Sequence, residues 1–494
     1  MERRAGTGSE PARLSSRDPR TISSERLLAF LASRRWFGAK GREPDAAQVV
    51  DAVPVGDAGW IAHVDVALRD GVERYQVTLA AGELGSETTT LREALDDEAF
   101  RRALADVIAR GGTLQGGSGA RWIVDCTTAT PYELPVPIVA RGEQSNTSLI
   151  FGDRAIMKLY RRLERGEHPD AEIARFLTTR ARFPYTPELL ATALFESSGE
   201  REVAAMLQRY LPGSRDAWRV ALERGREYFQ GRPTRRIPFA AETQTLGDVT
   251  RQMHVALASD ERDPAFAPEP ATVDDVERWA RGAQNEAVRA LTLLERTVAS
   301  GALDDATARK AKRVLANAAA ASMLADSWLV ELGDDAGVRI RHHGDYHLGQ
   351  VLQAADGTFM VIDFEGEPAR PLTERRAKHS ALRDVAGMLR SFAYAAATLA
   401  DESRATLGDR NAVTRASRWE RQMREAFLRG YLPEGKEHPP FVPSGRARFD
   451  VLLELFETEK MFYELMYELN NRPGWVWIPL SAVASRLREA RQGS

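Results

Sequence analysis

The hydrophobic pattern of this chain changes once, near residue 210, and that change limits the folds it can adopt. Before Leu211-Pro212-Gly213, short apolar runs separated by Gly-containing turns are typical of β-strands, with helical segments between them. After it, helical periodicity dominates, and one β segment at 338–364 interrupts it. We therefore predict an α+β fold with two lobes, a mixed front half and a mostly helical back half, and a cleft between them.

The pattern places individual elements as well. The predicted strands are 48–55, 60–68, 73–79, 121–126, 136–140, 146–151, 154–159, 188–195 and 202–208. The predicted helices of the back half are 214–229, 241–257, 274–297, 304–332 and one that begins at 381. A further helix at 169–180 follows the strand 154–159, and Pro169 suits its first turn.

Composition and charge exclude several classes of protein. Apolar residues make up 43% and charged residues 28%, which fits a globular chain with a substantial core. The formal net charge is −3, so the basicity typical of non-specific nucleic-acid binding is missing, and we expect no nucleic-acid partner. The single cysteine, Cys126, can form neither an internal disulfide nor a cysteine-based zinc site, which favours a reducing, cytoplasmic location.

Targeting and membrane signals are not recognisable. Residues 1–20 are rich in Arg, Ser, Gly and Pro without an apolar core, so we expect a disordered tail and not a signal peptide. The longest apolar stretch, Phe392 to Ala400, has about half of the ~20 residues that a bilayer-spanning helix needs. We therefore expect no membrane association.

The densest group of polar residues lies in the β segment of the back half. It contains His343-Gly344-Asp345, then Gln350, then Asp363-Phe364. Asp356-Gly357 predicts a β-hairpin between the last two, and a two-residue loop there makes Gln350 and Asp363 direct cross-strand neighbours with Cβ atoms about 5 Å apart. Two oxygen ligands so placed suit one Mg²⁺ ion.

This order, an H-x-D triplet followed by an amide and then D-F, is the catalytic-loop pattern of protein-kinase-like phosphotransferases. It assigns Asp345 to orient the acceptor hydroxyl and take its proton, and Gln350 and Asp363 to hold metal ions at the ATP phosphates. The alternative is that the aspartates are ordinary turn residues, and the spacing, register and second aspartate together count against it. A zinc site through His343 and His347 lacks the glutamate of H-E-x-x-H, so both histidines are expected to order the loop by hydrogen bonds.

The front half offers residues for holding ATP. Lys158, on the predicted strand 154–159, is expected to reach the α- and β-phosphates and to pair with Glu172 on the next helix, although a lone strand lysine is often only a surface residue. The phosphate-covering turn has no glycines and consists of Gln144, Ser145, Asn146, Thr147 and Ser148. Backbone hydrogen bonds to adenine are expected from Met206, Gln208 and Tyr210.

Several segments together resemble the bacterial maltokinases, which belong to the aminoglycoside-phosphotransferase-like kinases. They are Trp36–Arg42, Glu143–Ser148, His343–Gln350, Val361–Pro368, Leu382–Phe392 and Tyr463–Pro479, and the resemblance runs from about residue 22 to 489. It implies a bilobal protein-kinase-like fold with an N-terminal α/β cap, and transfer of phosphate from ATP to maltose with Mg²⁺ as cofactor. It also implies a role in α-glucan synthesis from maltose 1-phosphate, and association, by fusion or partnership, with trehalose synthase, which makes maltose.

The acceptor side is predicted from spacing and from the resemblance. Lys460, Tyr463 and Tyr467 recur at i, i+3 and i+7, so they share one face of a helix, and two rings with a donor suit a disaccharide. Periodicity alone favours tyrosines packed in a core and a solvated lysine; the resemblance places all three in the maltose site. Asp345 and His343 are included among the acceptor residues.

The resemblance also covers Asp384. This residue would either brace the catalytic loop or simply favour a helix N-terminus, and the two accounts are equally good.

The expected domain layout is a tail at 1–20, a cap and intermediate region at 21–130, kinase-like N-lobe strands at 131–212 and a helical C-lobe at 213–494. The predicted function is that of a maltokinase. Two alternatives are kept: a kinase for glucosamine or an aminoglycoside, and an inactive sugar-sensing scaffold for trehalose synthase.

Overall fold

The computed structural model describes residues 18–81, 90–127, 133–140, 145–230, 237–368 and 370–492. Two compact units account for them: residues up to 175 together with 187–212, and residues 176–186 together with 213 onwards. Most of the predicted tail, residues 1–17, and Gln144 of the predicted turn lie outside the described residues.

The first unit consists mainly of two antiparallel sheets. Its elements are α1 (Ser24–Ala32), β1 (Ala46–Val55), β2 (Gly59–Leu68), β3 (Gly71–Ala80), α2 (Glu98–Ala109), β4 (Thr113–Gln115), β5 (Arg121–Cys126), β6 (Ile138–Val139), β7 (Asn146–Phe151), β8 (Ala155–Tyr160), β9 (Arg162–Leu163), α3 (Pro169–Thr179), β10 (Leu189–Ser197) and β11 (Glu200–Arg209), and the two units divide within α3. The strand orders are β1-β2-β3-β9 and β4-β5-β10-β11-β8-β7-β6. Each of the nine predicted strands overlaps an observed one; β4 and β9 were missed because they are too short to show a period.

Strand β8, which carries Lys158, is held by neighbouring strands and by the core beneath it. In the larger sheet β8 lies between β7 and β11, over a core that includes the fully buried Trp122 and Phe151. The smaller sheet is joined to it by Gln76 on β3, whose Nε2 donates to the carbonyl oxygens of Tyr160 at 3.0 Å and Ala204 at 2.9 Å. These bonds restrain the backbone at the end of β8.

The second unit is mostly helical. Its elements are β12 (Arg215–Asp216), α4 (Ala217–Gln230), α5 (Ala240–Leu257), β13 (Glu269–Pro270), α6 (Val273–Ala299), α7 (Asp305–Leu315), α8 (Leu324–Leu332), β14 (Val338–Arg339), β15 (Val351–Gln353), β16 (Phe359–Val361), α9 (Leu372–Arg375), α10 (Leu382–Leu407), α11 (Ala412–Tyr431), α12 (Arg446–Asn471) and α13 (Trp477–Gln492). The single helix predicted at 304–332 is wrong. The side-chain amide of Asn317 donates to the carbonyl oxygen of Arg313. A 3₁₀ segment, Ala318–Met323, then separates α7 from α8.

Helix α10 is the centre of the second unit. Every residue from Leu382 to Phe392 except Arg383 is buried, as expected of a helix that packs on all sides. Polar residues on such a helix are held by neighbours and not by water, so its Asp384 and Arg390 are placed with little freedom. Across the described ranges, no helix combines the length and the apolar character that a bilayer crossing requires.

Candidate active site

The predicted base lies on an irregular loop of the second unit. The loop follows β14 and ends in one 3₁₀ turn at Leu348–Gln350. Gly344 has φ +84°, and a Cβ atom there would lie 3.1 Å from Cα of Gly366, so both the conformation and the space require glycine. Asp345 follows directly and is partly buried.

Asp384, in the first turn of α10, holds this loop by its backbone. Its Oδ2 accepts from the N–H of His343 at 2.7 Å, and its Oδ1 accepts from the N–H of Gly344 at 2.9 Å. Nε2 of His254 lies 3.1 Å from Oδ2, and Nδ1 of the same ring lies 2.9 Å from the hydroxyl of Tyr431. Of the two accounts of Asp384, bracing of the loop that carries Asp345 is therefore confirmed.

The charge of Asp384 is maintained despite complete burial. Burial raises the pKa of this carboxyl, but the hydrogen bond from His254 and the electrostatic interactions with the neighbouring histidines outweigh it. The net effect holds the pKa of Asp384 well below its usual range. The carboxylate of Asp384 is thus ionised at neutral pH.

His343 and His347 order the loop, as expected. Nε2 of His343 lies 2.9 Å from the carbonyl oxygen of Ile362, which can only accept, so this nitrogen carries the proton. Nδ1 of His343 accepts from the N–H of Asp345 at 3.4 Å, and Nδ1 of His347 accepts from the N–H of Gly349 at 3.0 Å. Burial lowers the pKa of His347.

The place predicted for His343 among the acceptor residues is wrong. The residue is 1% exposed, and both of its ring nitrogens are engaged within the loop. We reassign it to support of Asp345.

Helix α10 also contacts the loop at Gly387, where a larger side chain has no room. A Cβ atom at residue 387 would lie 2.5 Å from the backbone carbonyl oxygen of Tyr346. Gly387→Ala is therefore expected to push the loop away and to destabilise the protein by about 1–3 kcal/mol, measured by urea unfolding. Gly282→Ala, at a helical glycine with nothing within 4 Å, is the matched control and is expected to be neutral or stabilising. Equal effects of the two substitutions would contradict this account.

The predicted hairpin exists, but its predicted register is wrong by one residue. Val351 pairs with Val361 and Gln353 with Phe359, so the loop has three residues and not two. Gly357 has φ +89°, and its N–H donates to the carbonyl of Ala354 at 2.9 Å, the geometry of a type I turn with a glycine bulge.

The register shift changes the relation between the two predicted metal ligands. The N–H of Ile362 donates to the carbonyl of Gln350 at 3.0 Å, so Ile362 and not Asp363 stands opposite Gln350. In a regular strand a shift of one residue turns a side chain to the other face. Asp363, however, has φ +68° and lies beyond the end of β16, so strand alternation no longer sets its direction. An amide and a carboxylate oxygen remain a donor set that Mg²⁺ accepts.

A small pocket opens beside the loop within the second unit. Its lining consists of Gly344, Asp345, Tyr346, Glu367, Arg370, Arg383, Gly387, Phe456, Glu459, Lys460 and Tyr463. Three of these residues are acidic and three are basic. Arg383 donates to Glu459 at 3.0 Å, and Arg370 lies 3.5 Å from the same carboxylate.

Lys460 of α12 is the cavity residue in contact with the predicted base. Its Nζ lies 3.4 Å from Oδ1 of Asp345 and 2.6 Å from Oε1 of Glu367, and it stands 4.8 Å from the ring centre of Tyr463. Burial alone would lower the pKa of Lys460. The carboxylates of Glu367 and Asp345 outweigh burial, so the pKa of Lys460 is well above its usual range. Burial and Glu367 raise the pKa of Tyr463 to about 12. Sequence reasoning missed Glu367, although it lies within the family-like segment Val361–Pro368.

Tyr467 lies apart from this cavity. It is 44% exposed, and the guanidinium of Arg472 stands 5.1 Å from its ring centre. It is four residues beyond Tyr463 on α12, about 6 Å along the helix axis. Of the three residues predicted on this face, Lys460 and Tyr463 line the cavity and Tyr467 does not.

In the first unit, Lys158 is paired with a helix carboxylate. Its Nζ donates to Oδ2 of Asp170 at 3.2 Å, and the hydroxyl of Tyr160 donates to the same oxygen at 3.2 Å. Asp170 is fully buried at the start of α3. The ion pair between a strand lysine and the next helix is therefore present, but the partner that the structure shows is Asp170, two residues before the predicted Glu172.

The predicted phosphate-covering turn is mostly strand. Ser145 precedes β7, whereas Asn146 and Ser148 lie on it. Ser148 stands opposite Lys158 in the antiparallel ladder, and Asn146 shares its face because side chains alternate. These two side chains are thus on the face that carries Lys158.

Thr147 points to the other face of the sheet. Its hydroxyl accepts from Nε of the buried Arg161 at 2.8 Å, and that guanidinium stands 4.7 Å from the ring centre of Trp36. The prediction that Thr147 covers a phosphate beside Lys158 is therefore wrong.

The residues predicted to bond adenine lie on β11 or directly after it. Met206 and Gln208 lie on β11, which is paired on both sides by β8 and β10. The N–H of Tyr210 donates to the carbonyl of Arg154 at 3.1 Å. The adenine hydrogen bonds predicted from Met206, Gln208 and Tyr210 stay a prediction, and the Tyr210 N–H is already used within the first unit.

In sequence, this chain is similar to a known cap domain and to known sugar kinases. Residues 30–128 match the family profile of the maltokinase N-terminal cap domain. A glucosamine kinase of Streptacidiphilus jiangxiensis is 28% identical over 358 residues, which cover 70% of this chain and 72% of that protein. A glucosamine kinase of Mycolicibacterium smegmatis is 28% identical over 366 residues, covering 71% of this chain and 81% of that protein.

Solved structures show the same kind of fold. A glucosamine kinase in complex with glucosamine, ADP and inorganic phosphate superimposes with a TM-score of 0.61 at 23% identity, covering 90% of this chain and 94% of that one. Another crystal form of a glucosamine kinase gives a TM-score of 0.61 at 22% identity, covering 90% of this chain and 92% of that one. The resemblance predicted from the motifs is thus confirmed: this chain joins a maltokinase N-terminal cap domain to the kinase-like fold of the glucosamine kinases.

Proposed function

We propose that this chain is a sugar kinase that transfers the γ-phosphoryl group of ATP to the anomeric hydroxyl of maltose, giving maltose 1-phosphate. The observation that carries the proposal is the cavity in which Asp345, Lys460 and Tyr463 meet beside a braced kinase-type loop. The match to a maltokinase cap at 30–128 supports maltose as the acceptor. Supply of maltose by an associated trehalose synthase, and use of the product in α-glucan synthesis, belong to the same proposal.

In the proposed step, a phosphoryl group passes from ATP to the sugar. The anomeric hydroxyl oxygen attacks the γ-phosphorus, and the bond between that phosphorus and the β–γ bridging oxygen breaks, so that ADP leaves. The hydroxyl proton passes to a carboxylate oxygen of Asp345. The ring of Tyr463 offers a stacking surface for the C–H face of a glucose unit, and Lys460 offers donors for its oxygens.

Each unit by itself carries residues that we assign to the nucleotide. Lys158, held by Asp170, is assigned to the α- and β-phosphates, with Ser148 and Asn146 on the same face of the sheet. Gln350 and Asp363 are assigned to hold Mg²⁺, which when bound neutralises charge on the triphosphate.

The charges in the cavity favour a neutral acceptor. Asp345, Glu367 and Glu459 are balanced by three cations, and Glu367 and Glu459 are each ion-paired within the wall. A cationic amino sugar would need a carboxylate besides the proposed base Asp345 that is not already paired, because an ammonium group leaves water at a high cost. A neutral disaccharide has no such requirement.

Glucosamine is the second candidate acceptor, and the names of the relatives favour it. Two curated proteins at 28% identity are glucosamine kinases. The two candidates differ in acceptor charge and size, so a direct assay separates them.

We expect ADP release with maltose to exceed release with glucosamine or kanamycin by at least tenfold in kcat/KM, which corresponds to about 1.4 kcal/mol of preference. The measurement is a coupled ADP assay with each acceptor, followed by NMR identification of the phosphorylated carbon. Product on C1 of maltose supports the proposal. A preference for glucosamine would replace maltose with the second candidate, and no sugar-dependent ADP release would favour the inactive scaffold.

A further inference from the structure

We propose that Glu367 is a positioning residue that withholds Lys460 from Asp345 and so keeps the catalytic carboxylate free for the acceptor hydroxyl. This inference rests on the proposed function, because it assigns a task to a group beside the proposed base. It concerns how one ammonium group is shared between two carboxylates in the cavity of the second unit.

The sharing is unequal. Nζ of Lys460 lies 2.6 Å from Glu367 and 3.4 Å from Asp345. The shorter contact is a charge-assisted hydrogen bond of full strength, whereas the longer one is weak. Lys460 therefore belongs mainly to Glu367, and the Oδ1 atom of Asp345 is only lightly engaged.

Glu367 is held in place from its other side. Its Oε2 accepts from Nε of Arg370 at 2.6 Å, and Arg370 is itself bonded to Glu374 and lies 3.5 Å from Glu459. The side chain of Glu367 is almost fully buried. Burial raises the pKa of Glu367, but Lys460 and Arg370 outweigh it and lower that pKa to about 2, so its charge persists.

Loss of that charge would redistribute the ammonium group. With a neutral side chain at residue 367, the nearest remaining carboxylate for Lys460 is Asp345, and the Coulomb attraction grows as the separation falls. A base that is tightly bonded to an ammonium group is weaker and offers one fewer oxygen to the substrate. The neighbours that share this field are His347, whose Nε2 lies 3.8 Å from Asp345, and the cavity residues Arg370, Arg383 and Glu459.

The test begins with Glu367→Gln, which preserves shape and removes charge. We expect kcat with the preferred sugar to fall about tenfold, a part of the 10²–10⁴ that a general base contributes. We also expect the acidic limb of kcat against pH to move to lower pH, because a closer cation favours the ionised form of a carboxylate. A purely structural role would lower activity without moving the limb.

Two further variants separate charge from packing. Glu367→Asp retains the charge, so its acidic limb is expected to stay at the wild-type position whatever its kcat. Glu459→Gln removes a carboxylate from the same cavity that is bonded to Arg383 and not to Lys460, and it is expected to change KM without moving the limb. Thermal unfolding of each variant reports whether the fold is retained.

The decisive comparison is made without Lys460. In a Lys460→Met background, Glu367→Gln is expected to have no further effect on the acidic limb, because the ammonium group that it would release is gone. An equal shift in both backgrounds, or no shift in either, would overturn the positioning role. If the unmodified protein phosphorylates no sugar, the proposed function fails; if it does and the limb stays fixed, only this inference fails.

Discussion

Asp345→Asn is expected to lower kcat for sugar phosphorylation at least a hundredfold while the fold and ATP binding are retained. The amide cannot take the proton of the attacking hydroxyl, and general-base catalysis contributes roughly 10²–10⁴ to such a rate. The backbone of residue 345 is anchored independently of its side chain, since its N–H donates to His343 and Asp384 holds the residues before it. The measurement is kcat by ADP release, with ATP affinity by calorimetry.

The matched control is Asp356→Asn, at the exposed tip of the hairpin. Oδ1 of Asp356 accepts from the N–H of Thr358 at 2.9 Å, a bond that asparagine can also accept. We expect wild-type kcat for this variant within twofold, an effect of the size usual for exposed substitutions. If Asp345→Asn kept more than a tenth of the activity, Asp345 would not be the base.

The hairpin shows how far sequence reasoning reached this site and where it stopped. Short apolar runs on either side of Asp356-Gly357 are enough to predict two strands and a turn between them. They do not distinguish a two-residue loop from a three-residue loop with a glycine bulge, because Asp-Gly suits both. The predicted register is therefore wrong by one residue, and Gln350 does not pair with Asp363.

Partners within a helix turn were equally hard to predict. Asp170 and Glu172 both lie in the first turn of α3, and the sequence alone does not show that Asp170 bonds Lys158. The position of Thr147, just before the lysine strand where a glycine-rich loop is usual, predicts a place at the phosphates, but strand alternation turns its side chain to Arg161.

Contacts between distant segments left no local signal at all. Glu367 and Lys460 are 93 residues apart, and His254 is 130 residues from Asp384. Neither pair follows a helical or strand period, so only the packing of the second unit reveals them. Asp384 itself was noticed through the family resemblance, yet its two backbone bonds required the folded loop.

That loop attachment leads to the largest expected effect on stability. Asp384→Ala leaves the N–H groups of His343 and Gly344 and Nε2 of His254 without an acceptor, in a site where Asp384 is 1% exposed. Each buried donor left unpaired costs about 1–3 kcal/mol, so the free energy of unfolding is expected to fall by about 3–5 kcal/mol. Asp384→Asn is expected to cost less, because its amide oxygen still accepts one or two of these bonds.

The effect has a defined dependence on pH. The folded state holds the pKa of Asp384 well below its value of about 3.9 in unfolded chains, so the carboxylate contributes stability above pH ~4. That contribution is lost as pH falls below ~4, because the unfolded chain takes up the proton more readily. The stability gap between wild type and Asp384→Asn is therefore expected to be constant from pH 5 to 8 and to narrow towards pH 3.

Urea unfolding at several pH values measures both effects, and Asp401→Ala on the same helix is the control. Asp401 is exposed and pairs only with Arg404 one turn on, among the contacts of the described residues, so its loss is expected to change stability by less than about 0.5 kcal/mol. If Asp384→Ala matched this control, the loop would have to be held by contacts other than those of Asp384. If instead it unfolded at much lower urea and lost kcat as well, the same carboxylate would couple the stability of the second unit to the position of Asp345.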